Sequence, residues 1–311
     1  MLTGLGSVVP AAVAIIAPIG LGFALQHKIN PVLMGLLIIN GATAGGFSPL
    51  SVFGTIVNQV SERNDLAESP ITLFLSSLIF NLLLSIIVFV LFGGRELMRR
   101  SERVTISGED HQELNRDQLL TLVGLLALVV GAVGFDLEIG FLALTVAAVL
   151  VLVARGDTKN AVSQVAWPTV LLICGIVTYV TLLEEIGTVE WLGEHVAGLG
   201  SATFAGLLIC YIGGAVSAFA STTGILGTLV PLAVPVIETG GIGAVALIVA
   251  LSISSSVVDS SPFSTSGALV VANTDESQRD FVFRRLMQWG MSMVVIAPFV
   301  AWAIFILPGW L

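Results

Sequence analysis

The pattern Ser-Pro-x-Ser-x-x-Gly occurs twice in this sequence, first as Ser48-Pro49-Leu50-Ser51-Val52-Phe53-Gly54 and again as Ser261-Pro262-Phe263-Ser264-Thr265-Ser266-Gly267. Another proline precedes each copy at the same distance, since Pro18 lies 31 residues before Pro49 and Pro231 lies 31 residues before Pro262. The two copies are therefore offset by a constant 213 residues, and each is followed by a polar stretch and a long apolar stretch. A spacing kept over this distance indicates that a whole structural unit is repeated.

The composition places both copies in a membrane protein. Of the 311 residues, 56% are hydrophobic and only 11% are charged, which is too little charge for the surface of a soluble domain of this length. The formal net charge is −9, but most acidic residues fall between the apolar stretches, where water solvates them. No basic cluster suited to nucleic acid occurs. The expected surroundings are therefore the lipid bilayer, and nucleic acid is not an expected partner.

Two of the apolar stretches are too long for one straight transmembrane helix. As helices, residues 29–61 would extend about 50 Å and residues 195–237 about 65 Å, against a hydrocarbon core of about 30 Å. The first contains Ser48-Pro49, which predicts a broken helix. The second contains Ser221-Thr222-Thr223-Gly224, which predicts a re-entrant helical hairpin with a polar tip facing protein or a watery cavity. The sequence predicts an all-α polytopic membrane protein with re-entrant hairpins and broken transmembrane helices.

Lysine and arginine set the expected orientation. If the arginine-rich loop 95–117 is cytoplasmic, eleven of the twelve Lys and Arg residues face the cytoplasm, and Arg63 is the exception. The carboxyl terminus is then outside, and the two Ser-Pro elements run in opposite directions. Inverted repeats with paired broken helices are typical of secondary transporters. We therefore expect a multi-pass protein of the cell (inner) membrane.

The repeat also predicts the domain organisation. Residues 1–93 form the remainder of a first inverted repeat, residues 94–117 a cytoplasmic linker, and residues 118–311 a complete second repeat. About a hundred residues (118–220) precede the tip at Ser221, whereas six residues precede Ser7 in the first copy. The comparison predicts that about a hundred residues are missing upstream of the first copy, through a fragment, a misplaced start or a degraded gene.

The polar groups at the tips and breaks are the candidate ligands, because serine hydroxyls can satisfy freed carbonyls or coordinate a cation. The alternative is that Ser-Pro marks two ordinary kinks and that glycine marks close helix packing. Two copies at matched spacing and in opposite orientation favour a substrate or ion site. The candidate substrate- or ion-binding residues are Ser7, Ser48, Pro49, Ser51, Ser221, Thr222, Thr223, Asp259, Ser261, Pro262, Ser264 and Thr265.

Asp259 is the one ionisable residue that the predicted topology places well inside a membrane segment. An aspartate at the centre of the bilayer costs about 2.5–3.5 kcal/mol to insert, and such residues are usually functional. We predict that Asp259 binds sodium or a proton; the alternative is a structural hydrogen bond or a helix cap. Its counterpart at the 213-residue offset is Gly46, so the two copies of the repeat differ at this position.

Three stretches carry a resemblance to a known family: residues 10–18, residues 45–49 and residues 254–264. In these stretches the sequence resembles the MatC-type dicarboxylate (malonate) carriers and, more distantly, the divalent anion–sodium symporters of the ion transporter superfamily. The resemblance covers essentially the whole chain, as the carboxyl-terminal two thirds of a typical member. It implies a dicarboxylate held at the midplane between two hairpin tips by helix N-termini and hydroxyls, in a protein that forms a homodimer.

Several functions stay open at this point. The first is cation-coupled transport of a small dicarboxylate of the malonate and succinate class, with sodium or a proton as the coupling ion. The alternatives are a permease or channel for another anion of the same superfamily, and a truncated carrier that transports nothing. An intramembrane enzyme is not expected, because the sequence has neither a His-Glu-x-x-His nor a Gly-x-Ser-x-Gly motif, and one membrane aspartate cannot form a dyad. No cofactor is expected besides the coupling ion.

Overall fold

A computed structural model describes residues 2–67, 69–99, 116–135, 137, 139–153, 201–219, 222–238 and 241–311, with individual residues between 167 and 191. Most of the described residues are helical. The chain divides into two compact units, Met1–Met98 with Leu172–Leu311, and Arg99–Leu171. The predicted span at 166–183 lies mostly outside the described residues.

The amino-terminal part of the chain forms five helices after a short 3₁₀ turn at Thr3–Leu5. They are α1 (Val9–Gln26), α2 (Pro31–Ala44), α3 (Val52–Arg63), α4 (Pro70–Leu91) and α5 (Gly94–Arg99). Proline occupies the first turn of α1, α2 and α4, where its missing N–H costs no hydrogen bond.

Two helices, α6 (Arg116–Gly134) and α7 (Ile139–Val153), pack against each other in the second compact unit. They correspond to the spans predicted at 118–135 and 139–154. Five helices follow in the first unit: α8 (Ala202–Ser217), α9 (Thr222–Glu238), α10 (Ala244–Val257), α11 (Thr265–Ala272) and α12 (Glu276–Ala301). A 3₁₀ turn at Val258–Ser260 follows α10, and a π-helical segment, Trp302–Ile306, follows α12.

The helix bounds repeat with the offset of the sequence motif. Adding 213 to the bounds of α2, 31 and 44, gives 244 and 257, which are the bounds of α10. The same addition converts the first residues of α1 and α3 into the first residues of α9 and α11. The repeat is therefore a repeat of helices that start at equivalent residues.

The packing of these helices is reciprocal between the two halves of the first unit. Helix α1 packs against α11, and its counterpart α9 packs against α3. Within each half the pattern is also shared, because α2 packs against α1 and α4, and α10 packs against α9 and α12. In each half, the helix that follows the hairpin tip thus packs on the short helix that follows the break of the other half. This exchange of contacts is what a two-fold relation between the halves produces.

Four segments of the described chain are long and apolar enough to cross a membrane: Val9–Gln26, Pro70–Leu91, Ala244–Ala272 and Glu276–Ile306. Helices α8 and α9 have 16 and 17 residues, so each rises about 25 Å, somewhat less than the hydrocarbon core of about 30 Å. They pack side by side, as the arms of a re-entrant hairpin do. The prediction of an all-α polytopic membrane protein is confirmed.

The burial pattern of α4 is that of a helix exposed to lipid. Ile79 and Leu82 are more than half exposed, at 55% and 59%, whereas the polar Ser77 and Asn81 on the same helix are buried. Lipid cannot satisfy polar side chains, so these face neighbouring helices and the large apolar side chains face outward. Polar groups of this protein therefore collect in the interior, where the two breaks lie.

Candidate functional site

Hydrogen bonds from Ser51 stabilise the first break, residues 45–51. The Ser51 hydroxyl oxygen is the N-cap of α3, accepting the Gly54 N–H at 3.3 Å. Its proton is directed at the carbonyl oxygens of Gly46 and Ser48, the latter at 2.7 Å. One buried side chain therefore satisfies backbone groups on both sides of the interruption, which stabilises the end of one helix relative to the start of the next.

The second break, residues 258–264, has the same hydrogen bonds at equivalent positions. Ser264 is the N-cap of α11 and accepts the Gly267 N–H at 3.4 Å. Its hydroxyl lies 2.6 Å from the carbonyl oxygen of Asp259 and 2.7 Å from that of Ser261. Adding 213 to every residue of the first set gives the second set. The pattern therefore encodes an interruption at which one helix ends and another begins, and not a kink within one continuous helix.

The glycine that ends each copy is required by close packing. A Cβ atom at Gly267 would overlap the carbonyl oxygen of Ser261 and lie 3.1 Å from the Pro262 nitrogen. A Cβ atom at Gly54 would overlap the carbonyl oxygen of Ser48 in the same way. Proline after the first serine supplies no N–H, so the preceding helix cannot continue through it. Each element of Ser-Pro-x-Ser-x-x-Gly thus has a defined role in the break.

Each hairpin tip contacts the break of its own half. In the first half, the Ser48 hydroxyl donates to the carbonyl oxygen of Gly4 at 2.8 Å, next to the half-buried Ser7. In the second half, the ring of Phe219 stacks on Phe263 with a centroid distance of 5.7 Å. The structure therefore brings tip and break together twice, through a hydrogen bond in one half and through an aromatic contact in the other.

Asp259 lies in the 3₁₀ turn of the second break and is 3% exposed. The Ser266 hydroxyl donates to its Oδ2 at 2.5 Å. The carboxylate thus sits at the N-terminus of α11, where the helix dipole favours a negative charge. The Ser266 contact is a hydrogen bond between two side chains at the start of this helix.

The elements packed around Asp259 bring it no charged partner. The turn contacts α2, α8, α10, α11 and α12, and the first four contain no acidic, basic or histidine residue. The thiol of Cys210 on α8 is buried. The charged residues of α12 lie in its first three turns and are exposed: Glu276, Arg279, Asp280, Arg284 and Arg285. Among the described residues, the hydrogen bond that the carboxylate accepts comes from the Ser266 hydroxyl.

Sequence reasoning missed Ser266. It named Thr265 instead, whose side chain is exposed, whereas Ser266 is buried against Asp259. The missed signal was the helix register: Ser264 is the N-cap, so the second residue after it presents its N–H and hydroxyl to a group at the helix start. Ser217 was also missed, and its hydroxyl lies 3.0 Å from that of Thr222.

The remaining predicted residues are distributed as follows. Thr223, Ser261 and Pro262 are buried, and Ser261 accepts a hydrogen bond from the Phe263 N–H at 3.3 Å. Pro49 is half-buried, and its carbonyl oxygen accepts a hydrogen bond from the side chain of Thr55 at 3.3 Å. The predicted ligand Ser221 lies outside the described residues.

Helix α10 brings a row of hydroxyls to this region. Ser252, Ser254, Ser255 and Ser256 are all fully buried, and the hydroxyls of Ser252 and Ser255 have no hydrogen-bond partner within the described chain. The side-chain nitrogen of Asn40 on α2 is likewise unpaired there. Buried polar atoms normally have partners, so unpaired donors in a membrane interior are groups that a polar ligand or water can satisfy.

Paired helix breaks, hairpin tips seated on them and a polar interior in an apolar helical shell define a membrane transporter of the broken-helix class. A family model described as citrate transporter, CitMHS, matches residues 1–212 and also residues 137–310. The chain belongs to the CitMHS citrate transporter family, within the ion transporter superfamily. No curated protein and no solved structure matches the chain.

The family assignment confirms the predicted class of protein and the anionic substrate, but it does not specify which anion is transported. CitMHS proteins are secondary transporters of citrate-like anions and not enzymes, so the chain is a multi-pass membrane transporter with an anionic substrate. The superfamily is the one expected from the sequence. The match does not single out the malonate carriers within it.

Proposed function

We propose that this chain is a secondary carrier that moves a small dicarboxylate of the malonate and succinate class together with a cation. The observation that carries the proposal is the pair of breaks with equivalent hydrogen bonds. Each break starts a helix inside the protein, and the N-terminus of that helix presents partial positive charge to the interior. Two such helix starts, one from each half, suit an anion with two carboxylates.

The charge distribution supports the same proposal. Helices α1, α2, α4 and α8 to α11 contain no lysine or arginine, so these helices offer an anion no side-chain cation. A carboxylate in this interior would be held by backbone N–H groups, by hydroxyls and by a cation bound nearby. The Asp259 carboxylate is the one acidic group that these seven helices and the two breaks place in the interior.

A co-transported cation follows from the cost of the buried charge. An aspartate and a dianion in one low-dielectric interior repel each other, and a sodium ion or a proton at Asp259 reduces that repulsion. Ion binding and anion binding then favour one another, which is the coupling that symport needs. The proposed position is the cell membrane, with loop 95–117 in the cytoplasm and the carboxyl terminus outside, and a homodimer is the proposed assembly.

The first experiment is counterflow in proteoliposomes that contain the purified chain. Vesicles loaded with unlabelled malonate, succinate or citrate are diluted into the labelled anion, without an ion gradient. A carrier gives a transient, saturable accumulation of label. Preference for malonate or succinate over citrate supports the proposal, and preference for citrate corrects the substrate to the one in the family description. A non-saturable flux without counterflow identifies a channel, and no movement of any of the three anions refutes carboxylate transport by this chain.

The second experiment tests the cation with a matched pair of variants. Asp259→Asn keeps an oxygen that can accept from Ser266 but removes the buried charge. Asp275→Asn changes an exposed carboxyl outside the membrane segments. We expect Asp259→Asn to abolish the dependence of uptake on an inward sodium or proton gradient, and Asp275→Asn to retain it. Equal gradient dependence in both variants contradicts the role proposed for Asp259.

A further inference from the structure

The two breaks share their backbone hydrogen bonds but differ in the side chains that fill them. In the second half the break contains Asp259 and Ser260, and Ser266 donates to the Asp259 carboxylate. At the 213-residue offset the first half has Gly46, Phe47 and Phe53. A carboxylate and two hydroxyls are thus replaced by two benzyl groups and a hydrogen atom, although the surrounding backbone is the same.

The packing of the first break leaves no room for a cation at the position equivalent to Asp259. Phe47 and Phe53 are 0% and 2% exposed, and their ring centroids lie 5.6 Å apart. Even a methyl group at Gly46 would lie 3.0 Å from the Val9 side chain and 3.2 Å from the Phe53 ring. The volume that the Asp259 carboxylate and the Ser266 hydroxyl take in the second half is therefore occupied by hydrocarbon in the first.

The difference extends to the neighbouring helices. Thr222 at the start of α9, and Ser254 and Ser255 on α10, are buried hydroxyls of the second half. Their counterparts in the first half are Val9, Gly41 and Ala42. Oxygen atoms that could hold a hard monovalent cation are thus concentrated around one break, since such cations prefer carboxylate, carbonyl and hydroxyl oxygens.

We infer that each chain has a single coupling-ion site, at Asp259 in the second break, and that Phe47 and Phe53 fill the equivalent cation position in the first break. This inference rests on the proposed transport function. It has a direct consequence for charge. A dianion that moves with one monovalent cation carries one net negative charge per turnover, so the membrane potential acts on transport.

The test is the ratio of ion to anion in gradient-driven uptake by proteoliposomes. Sodium is followed with a radioactive isotope, and protons with a pH dye trapped in the vesicles. We expect one cation of one kind per anion, a Hill coefficient of about 1 for that cation, and faster uptake when the vesicle interior is positive. In Asp259→Asn, whatever uptake remains should carry no cation, and Phe53→Leu, which keeps the first break apolar, should leave the ratio at one.

Other outcomes separate the inference from the proposed function. A ratio of two, or a ratio that falls in Phe53→Leu but not in Asp259→Asn, overturns the single site while leaving transport intact. If the wild-type chain shows no counterflow, the proposed function fails, and sodium bound to the purified protein is then counted directly. One sodium per chain that is lost in Asp259→Asn and kept in Asp275→Asn still supports the single site, whereas two sodium ions per chain, or one that Asp259→Asn retains, overturns it. If no sodium binds, a protonated carboxyl seen by infrared spectroscopy in the wild type and missing in Asp259→Asn supports a single proton site, and its absence overturns the inference.

Discussion

Alanine in place of Gly267 should destabilise the second break, because the new methyl group meets backbone atoms. Its Cβ would overlap the carbonyl oxygen of Ser261 and lie 3.1 Å from the nitrogen of Pro262. No side-chain rotation relieves a clash with main-chain atoms, so α11 must shift away from the break. Overpacking of this kind costs about 1–3 kcal/mol. The intrinsic preference of alanine for helices offsets at most about 1 kcal/mol of that cost.

The assay is the free energy of unfolding in detergent, measured with a denaturant for three alanine variants. Gly54→Ala has the same contact in the first break and should lose a similar amount of stability. Gly41→Ala is the matched control, since it lies inside α2 and its Cβ would meet nothing within 4 Å. It should be neutral or stabilise by up to about 1 kcal/mol. If Gly267→Ala is as stable as Gly41→Ala, the close packing described for the break is wrong.

Two further predictions concern helix caps. Ser51→Ala and Ser264→Ala should each lower the free energy of unfolding by about 0.5–2 kcal/mol, because each removes an N-cap and two buried donor contacts; denaturation in detergent checks this, and a neutral result for both contradicts the capping role. At the start of α12, hydrogen bonds from the Ser277 side chain and N–H lower the pKa of Asp275. The stabilisation is therefore present above the unfolded-state pKa of about 3.9 and is lost as the pH falls through the lower folded-state pKa. Asp275→Asn, which keeps the cap oxygen, should lose less stability than the wild type as the pH falls. An equal decrease in the free energy of unfolding in both proteins would show that the Asp275 carboxyl does not cause the acid sensitivity.

The sequence by itself determined the class of the protein and the positions of its breaks. Both follow from local chemistry: a proline without an N–H ends a helix, a serine three residues before a glycine caps the next one, and apolar length sets what can span a bilayer. The same information placed α6, α7 and the hairpin arms α8 and α9 close to where the structure has them. The constant offset also predicted that helix bounds would repeat, as they do for α2 and α10.

Only the tertiary structure decided how these elements act on one another. The choice of Ser266 over Thr265 as the partner of Asp259 depends on the rotation of α11 about its axis. The closure of the first break depends on Phe53 packing beside Phe47. The contacts exchanged between the halves join residues that are far apart in the sequence: α1 and α11 are more than 200 positions apart, and α9 and α3 are more than 150 positions apart. A sequence shows which residues are polar, but the direction of a side chain is set by the neighbours that exclude it from every other direction.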